Sequence, residues 1–330
     1  MNQSYLRIVQ KFSQPQTPLP TDMVRRLRCL KEVKAVFFDI YGTLFISCSG
    51  DIGVPLPGLD GTPAAEQHQE TPKNQLAHVL GKRFFELFPA GLNDRRSPLA
   101  ERLVGMQRQN EDTYPQCGQL LMESFRSQVQ KVHRIRKKEG IPWPEVDVRD
   151  IWQSVVGESH VVSNGNDRLI DQWAIEYEVR INPVWPMPNA NDCIDQLGSA
   201  NLTLGIISNA QFYTPLLFPA LLDKQLEDFE IASEMQYYSY RCGRAKPDPW
   251  MYQQASETLA QIGIIPSQTL YVGNDMRNDI LPASQVGFRT ALVATDRRSL
   301  RLREGDPSVA HITPDLVVTN LSDLVDCVLG

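Results

Sequence analysis

Acidic, hydroxyl and amine side chains follow several of the apolar segments in this sequence. The first such segment, "KAVFFDIYGTLF" (34–45), runs from continuous apolar residues directly into a carboxylate. The groups at the ends of the successive apolar segments are Asp39, Ser208 with Asn209, and Asp275 with Asp279. Lys246, in "GRAKPDPWMY", lies between the second and third segments. If the fold brings these groups together, they form a site rich in negative charge and served by one ammonium.

The spacing of the carboxylates predicts a divalent cation. Asp275 and Asp279 lie four residues apart, about one helical turn, so both can face one site. With Asp39 they would place three carboxylates in a small space, which is costly unless a cation joins them. Oxygen ligands of this kind suit Mg²⁺. We therefore predict a Mg²⁺ site at Asp39, Asp275 and Asp279.

The elements that must position these groups alternate between strand and helix. Continuous apolar runs predict buried strands at "KAVFFDI", "LTLGIISN", "TLYVGND", "RTALV" and "PDLVVTN". Helical segments separate most of them, which predicts an α/β fold: a Rossmann-like parallel sheet with helices on both faces. Residues at the carboxyl ends of such strands gather at one edge of the sheet.

The chain divides into three predicted parts. Residues 34–46 and 186–330 form the α/β core, and residues 47–185 form an inserted helical module without a convincing buried strand. Residues 1–33 form an N-terminal arm, loose over its Pro/Gln-rich first twenty residues, followed by a short helix. Three local predictions complete the outline: Asp22 as the cap of that short helix, a short strand at "EIAS" (230–233), and Ser322 as the cap of the last helix.

Composition limits the classes of partner. The 330 residues are 42% hydrophobic and 22% charged, with a net charge of −6, which argues against nucleic acid or an anionic membrane surface as the main partner. No signal peptide and no apolar run of membrane-spanning length is found, so we expect a cytoplasmic protein. The six cysteines are far apart and predict reduced thiols rather than disulfides or a zinc site.

Four segments, in this order, resemble the four motifs of the haloacid dehalogenase (HAD) superfamily. They are the Asp of "FFDIYGTLF", the Ser of "IISNA", the Lys of "RAKPDP" and the paired acids of "VGNDMRND". The resemblance covers roughly residues 34–46 and 186–325, with the helical module where the family places its cap. It implies that Asp39 attacks phosphorus to form an aspartyl-phosphate, and that Lys246 neutralises the negative charge around it.

The resemblance also implies roles for short polar groups near the nucleophile. Thr43 and Ser208 are hydroxyl donors suited to phosphoryl oxygens. The backbone N–H groups of the turn at residues 41–43 could hold the same oxygens, and Gly42 would permit that turn. Asn209, next to Ser208, is expected to contact the substrate. The predicted partner is therefore a small molecule, a phosphate ester, used with Mg²⁺. Some members of the superfamily carry the first acid of the fourth motif directly after the Gly, where this chain has Asn274, so its amide oxygen is the alternative metal ligand to Asp275.

Tyr41 stands where most phosphatases of this superfamily carry a second Asp, which protonates the leaving oxygen and then activates water. The main-chain carbonyl of Tyr41 can still bind Mg²⁺. Its phenol, with an unperturbed pKa of about 10, cannot replace a carboxylate near neutral pH. A missing general acid costs about 10²–10⁴ in rate, and esters with good leaving groups lose least.

Two other functions compete with the phosphatase. "D-x-Y-G-T-L-F" is also similar to the start of 2-haloacid dehalogenases, in which the Asp attacks carbon, halide leaves, and neither a proton donor nor a metal is needed. Those enzymes carry a neutral fourth motif and an early cap Arg, whereas this chain keeps Asp275 and Asp279 and has no Arg between its first motif and Arg83. A non-catalytic, ligand-binding member of the fold is the third possibility, although retention of the nucleophile and lysine argues against it.

Overall fold

A computed structural model describes residues 3–47, 72–88, 98–103, 111–157 and 167–330. The chain separates into two units. The sheet unit comprises Met1–Cys48, Ile141–Glu145 and Val184–Gly330, and the helical unit comprises Ser49–Gly140 and Val146–Pro183.

One short segment departs from the predicted division. Residues 141–145 were expected within the helical insertion, but they belong to the sheet unit. The N–H of Ala245 donates to the carbonyl of Trp143 over 2.8 Å, and the N–H of Glu145 donates to the carbonyl of Gly243 over 3.2 Å. These main-chain hydrogen bonds hold the segment against the chain that leads into Lys246.

The sheet unit is built on a parallel sheet of six strands among the described residues, in the order β5-β4-β1-β6-β7-β8. The strands of the described chain are β1 (Ala35–Phe38), β2 (Phe45–Ile46), β3 (Trp185–Pro186), β4 (Thr203–Ser208), β5 (Gln236–Tyr238), β6 (Thr269–Gly273), β7 (Arg289–Val293) and β8 (Leu316–Val318). β2 and β3 form a separate antiparallel pair. All four residues of β1 are buried, as its continuous apolar run predicts.

Helices flank this sheet, which confirms the predicted α/β class. The helices of the sheet unit are α1 (Gln3–Phe12), α7 (Ala190–Ser199), α8 (Leu217–Leu221), α9 (Ser239–Cys242), α10 (Trp250–Gln261), α11 (Leu281–Val286) and α12 (Leu321–Leu329). On one face, Met251, Tyr252 and Leu259 of α10 join the buried core that contains Phe37 and Tyr271. β1 lies between β4 and β6, so the carboxyl ends of these three strands meet at one place.

The described part of the helical unit contains α2 (Pro72–Leu87), α3 (Pro98–Leu103), α4 (Thr113–Lys138), α5 (Val148–Val156) and α6 (Asp167–Ile181). Its core is aromatic: Phe125, Trp152, Trp173 and Tyr177 are almost fully buried, and Trp152 contacts the other three rings. No helix in the described ranges is both long enough and apolar enough to span a membrane.

Four local predictions were wrong. The Pro/Gln-rich arm contains a helix, α1, and residues 22–33, with Asp22 as the predicted cap, form none. The strand expected at 230–233 lies instead at β5, which pairs with β4. The last helix is capped by Asn320, whose side chain accepts from the N–H of Ser322. These errors concern short elements in which contacts with the rest of the fold outweigh local preference.

Candidate active site

Asp39 lies directly after β1 and is the centre of the polar cluster at the carboxyl edge of the sheet. It is 5% exposed. Its Oδ1 accepts hydrogen bonds from Lys246 Nζ over 2.7 Å and from Ser208 Oγ over 2.8 Å. Oδ2 accepts none from the residues that the structure describes. The ends of β1 and β4 and the chain before α10 therefore meet at one carboxylate, which is held through one oxygen and open at the other.

Lys246 is buried and shared between two carboxylates. Besides Asp39, its Nζ donates to Asp279 Oδ1 over 2.5 Å and to the hydroxyl of Tyr271 over 3.2 Å. Burial alone would lower the pKa of Lys246, but the negative charges of Asp279 and Asp39 outweigh it and raise the pKa above its ordinary value. The amine is therefore held in its charged form. Asn209 fixes the lysine's backbone, since its Oδ1 accepts from the N–H of Lys246 over 2.7 Å.

Asp279 reaches this cluster because β6 ends in a tight turn. Its Oδ2 accepts from the N–H groups of Asn274 over 3.0 Å and Asp275 over 2.9 Å. Gly273 permits the close approach, since a Cβ at that position would lie 2.5 Å from the Cβ of Asp279. Both oxygens of Asp279 thus have donors within the protein.

Asp275 has a different partner. Its Oδ1 accepts from the N–H groups of Arg277 and Asn278, which caps the π-helical turn Met276–Ile280. Both carboxylate oxygens also contact the guanidinium of Arg303. The one-turn spacing predicted that Asp275 and Asp279 face the same site, but they are bound to different cations.

The three carboxylates predicted to share a metal ion are thus paired with two protein cations, Lys246 and Arg303. Within the described ranges, no group of three or more His, Cys, Asp or Glu side chains is placed to hold a metal ion. Lys246 provides the positive charge between Asp39 and Asp279 for which the sequence had suggested a divalent cation.

Asn274 and Thr43 form a second group of contacts, at the loop between β1 and β2 (residues 39–44), which we call the nucleophile loop. Thr43 Oγ1 donates to Asn274 Oδ1 over 3.3 Å, and Asn274 Nδ2 donates to the carbonyl of Ser299 over 2.6 Å. Gly42 has φ +84°, and a Cβ there would lie 2.5 Å from Asn274 Nδ2, so the turn requires glycine. The N–H groups of Gly42 and Thr43 donate to the carbonyls of Phe45 and Ile40. These two N–H groups are used within the turn and are not directed at a substrate as predicted.

The phenol of Tyr41 contacts Thr214, with its hydroxyl 2.9 Å from Thr214 Oγ1. Thr214 Oγ1 in turn accepts from the N–H of Gln211, in the loop after β4. The tyrosine side chain therefore has a partner of its own at the position predicted for a general acid.

Three contributors were missed from the sequence. Tyr271 carries a hydroxyl within the buried strand "TLYVG". A polar group in such a strand needs a partner, so the sequence could have indicated its contact with the site. Ser299 and Arg303 lie in a loop after β7 without a recognisable motif. No local pattern marks them, because their contacts depend on the path of the whole chain.

Comparison with known proteins identifies the family of the chain. The family model described as hydrolase, haloacid dehalogenase-like hydrolase, matches residues 33–287. The chain belongs to this family, and the protein is a HAD superfamily hydrolase.

Individual relatives are more distant. The chain is 32% identical over 90 residues to the rhythmically expressed gene 2 protein of Drosophila melanogaster, covering 27% of this chain and 32% of that protein. It is 30% identical over 105 residues to the phospholysine phosphohistidine inorganic pyrophosphate phosphatase of Rattus norvegicus, covering 30% of this chain and 36% of that protein. The matched segments thus span well under half of either relative.

Among solved structures, the 2-haloacid dehalogenase from Pseudomonas syringae pv. Tomato DC3000 superposes with a TM-score of 0.50 at 16% identity. The superposition covers 89% of this chain and 97% of that chain. At this identity the likeness supports the shared fold alone.

Proposed function

We propose that the protein hydrolyses a phosphate monoester through a covalent intermediate on Asp39. The supporting observation is the state of its carboxylate: Lys246 and Ser208 fix one oxygen, and the other accepts no hydrogen bond from described residues. The carboxylate attacks phosphorus, the bond from phosphorus to the ester oxygen breaks, and the oxygen leaves with the electron pair as an alkoxide or phenolate, which takes a proton from water. Water then cleaves the aspartyl-phosphate, which releases inorganic phosphate and restores Asp39.

Lys246 has the main electrostatic role in this proposal. Its buried ammonium lies 2.7 Å from the nucleophile and stabilises the negative charge that gathers there during transfer. Asp279, Tyr271 and Asn209 hold the lysine in place through its side chain and backbone. Ser208 and Thr43 were predicted to donate to the phosphoryl oxygens, but in this structure their single O–H groups donate to Asp39 and Asn274. We propose that each hydroxyl turns to a phosphoryl oxygen when the substrate binds, and that Asn209 is the substrate contact beside them.

For Mg²⁺ we propose a smaller set of oxygen ligands than the sequence predicted. They are the second oxygen of Asp39, the main-chain carbonyl of Tyr41 and Oδ1 of Asn274, which the bond from its Nδ2 to Ser299 turns toward Thr43. Mg²⁺ commonly uses one or two carboxylates together with waters and substrate phosphate. When bound, the ion would supply positive charge to the phosphoryl group. Asp275 and Asp279 are not proposed as direct ligands, because Arg303 and Lys246 already bind them.

Tyr41 restricts the substrates that this site can use. The position holds a phenol in place of a carboxylic acid, and its hydroxyl is bonded to Thr214. We therefore propose that residue 41 does not protonate the leaving oxygen. We therefore expect esters of acidic alcohols, such as aryl phosphates, to react faster than alkyl phosphates.

A second function, displacement of halide from a 2-halo acid, is favoured by the charge balance of the same residues. Asp279 and Asp275 are neutralised by protein cations without a metal. Asp39 would attack the carbon that bears the halogen, the carbon–halogen bond would break, and water would hydrolyse the resulting ester. This reaction needs no proton donor at position 41.

One assay separates the two functions. Phosphate release from p-nitrophenyl phosphate and chloride release from 2-chloropropionate are measured with Mg²⁺ and with a chelator, for the wild type, Asp39→Asn and the surface control Asp195→Asn. Mg²⁺-stimulated phosphate release that Asp39→Asn abolishes and Asp195→Asn retains supports the proposal. Chelator-resistant chloride release without phosphate release would replace it with the second function.

A further inference from the structure

We propose that a loop after β7, anchored by the N-terminal chain, positions Asn274 and Gly42 in the active site, with Asp296 and Ser299 as its positioning residues. We call residues 296–303 the support loop and residues 16–30 the N-terminal strap. The kinetic part of this proposal rests on the function proposed above, whereas its structural part does not.

Ser299 sets the orientation of the Asn274 side chain. Its carbonyl accepts from Asn274 Nδ2 over 2.6 Å, so the amide nitrogen is committed to the support loop. The amide oxygen then faces Thr43 Oγ1, 3.3 Å away. An amide turned the other way would present a donor to the site in place of an acceptor. The support loop thus decides which chemical group Asn274 offers.

The backbone of the support loop is joined to the turn after β6 and to the nucleophile loop. The N–H of Arg301 donates to the carbonyl of Asn274 over 3.0 Å, and the N–H of Met276 donates to the carbonyl of Arg301 over 2.9 Å. Ser299 Oγ lies 3.4 Å from the carbonyl of Gly42 and 3.2 Å from the carbonyl of Asp296, and its single O–H can donate to either. A Cβ on Gly42 would lie 2.8 Å from the Cβ of Ser299. The support loop therefore touches both segments that build the site.

Asp296 holds the support loop through an ion pair and hydrogen bonds. Its side chain is fully buried and forms an ion pair with Arg298, and its carbonyl accepts from the N–H of Ser299 over 3.1 Å. Its Oδ1 also accepts from the N–H of Leu19, in the strap, over 3.1 Å. A buried carboxylate of this kind is costly to leave without partners, so the strap and the loop are held to each other.

The strap has further contacts with the loop and with the sheet behind it. Leu19 accepts through its carbonyl from the N–H of Arg297 over 2.8 Å, and the carbonyl of Thr17 accepts from Arg298 Nη2 over 2.8 Å. Farther along, Thr21 Oγ1 donates to the carbonyl of Ala294 over 2.6 Å. Residues remote from the four motifs are thereby connected to Asn274 through hydrogen bonds and one loop.

The consequence for activity follows from the geometry that catalysis requires. A shift of about 1 Å in a positioning group can cost about 10²-fold in rate. Loosening the support loop is therefore expected to lower kcat more than it raises KM, because the residues that it positions act on the reacting group. Neither Asp296 nor Ser299 is expected to touch the substrate.

The test compares Asp296→Ala with the conservative Asp296→Asn and with Arg28→Ala. Arg28 lies on the same strap but pairs with Asp315 at the surface, so its variant is the matched control. Hydrogen exchange is measured at the N–H groups of Met276 and Arg301, and kcat and KM are measured on the aryl phosphate. For Asp296→Ala we expect faster exchange at both amides, unchanged exchange in β1 and β4, and a kcat lowered about 10- to 100-fold. Asp296→Asn should recover part of both, and Arg28→Ala should match the wild type.

Unchanged exchange at Met276 and Arg301 in Asp296→Ala would overturn the proposal. So would faster exchange spread equally over β1 and β4, which indicates general destabilisation. These readouts need no substrate, so they stand even if phosphate-ester hydrolysis is not observed. If exchange changes locally but kcat does not, the loop is connected to the turn without positioning the site, and the proposal fails in its kinetic part.

Discussion

The two acids of the turn after β6 have the same charge and lie one helical turn apart, yet their surroundings differ. Asp279 is 1% exposed, and its cation, Lys246, also binds the nucleophile. Asp275 pairs with Arg303, whose side chain is 29% exposed. A charge change at Asp279 therefore reaches Asp39 through a shared lysine. Asp275 is also buried, at 6% exposed, but a change there acts on Arg303, an arginine that belongs to the support loop, and not on Lys246.

The partners of the three carboxylates bear on whether the site needs a metal ion. Crowded carboxylates suggested that a divalent ion must relieve their repulsion, but each of the three already has a protein cation. A Mg²⁺ requirement would then arise from the phosphate of the substrate rather than from repulsion among the carboxylates. The requirement should accordingly depend on Asn274 and Asp39, and little on Asp275.

The largest effect is expected from Lys246→Met, which removes the cation shared by Asp39 and Asp279. Removing the amine leaves Asp39 and Asp279 buried without their common partner, and breaking a buried pair costs about 3–5 kcal/mol of unfolding free energy. Loss of a preorganised charge should lower kcat by about 10²–10³-fold or more. Urea unfolding and steady-state kinetics measure both effects. Lys224→Met, at a half-exposed pair with Asp195, is the control and should cost no more than about 1 kcal/mol. A Lys246→Met enzyme within tenfold of wild-type kcat would contradict the account.

A smaller effect is expected from Asp279→Asn. The amide has one oxygen in place of two, so it cannot serve both Lys246 and the N–H groups of Asn274 and Asp275. Losing a hydrogen bond to a charged group costs about 1.5–3 kcal/mol. The free energy of unfolding should fall by this amount, and kcat should fall because the lysine is less firmly held. Wild-type stability together with wild-type kcat would show that Asp279 does not support the lysine.

On the Arg303 side, Asp275→Asn should have little effect. Asparagine retains the helix cap and one oxygen for Arg303, so we expect the free energy of unfolding to fall by about 0.5–1.5 kcal/mol, the worth of one hydrogen bond. The Mg²⁺ concentration that gives half-maximal phosphate release should stay within about twofold of wild type, since Asp275 is not a proposed ligand. Asn274→Ala, measured beside it, should raise that concentration. If Asp275→Asn raises it more than Asn274→Ala does, Asp275 is the direct ligand.

The smallest effect is predicted for Tyr41→Phe. It removes one hydrogen bond, to Thr214, and should cost about 1 kcal/mol in urea unfolding. Because the phenol is not proposed to transfer a proton, kcat on an aryl phosphate should change by less than about threefold. A loss of a hundredfold or more would instead assign the phenol a direct part in the reaction.

The sequence predicted the sheet and the meeting of Asp39, Ser208 and Lys246. Continuous apolar runs report burial from the chain alone, and parallel strands necessarily place their carboxyl ends together. The orientation of side chains within the turn after β6 was not predictable. Helical spacing predicted that Asp275 and Asp279 lie on one face. The turn is π-helical, and both side chains accept from backbone N–H groups within it, so they contact different cations.

Long-range partners were the other gap. Arg303 lies 28 residues beyond Asp275, in a loop whose path depends on β7 and on the N-terminal strap. The strap was itself predicted as a loose arm followed by a helix. Its extended course is stabilised by main-chain pairing of Arg26 with Val317 at the edge of the sheet. Such contacts join distant parts of the chain and leave no local periodicity to detect.

The central claim, that Asp39 is the covalent nucleophile, is tested most directly by acid quenching during turnover of the aryl phosphate, followed by peptide mass spectrometry. For the wild type we predict a phosphoryl group on the peptide that contains Asp39. For Asp39→Asn we predict neither this adduct nor phosphate release. Phosphate release by Asp39→Asn at the wild-type rate, with no adduct at residue 39 in either protein, would contradict it.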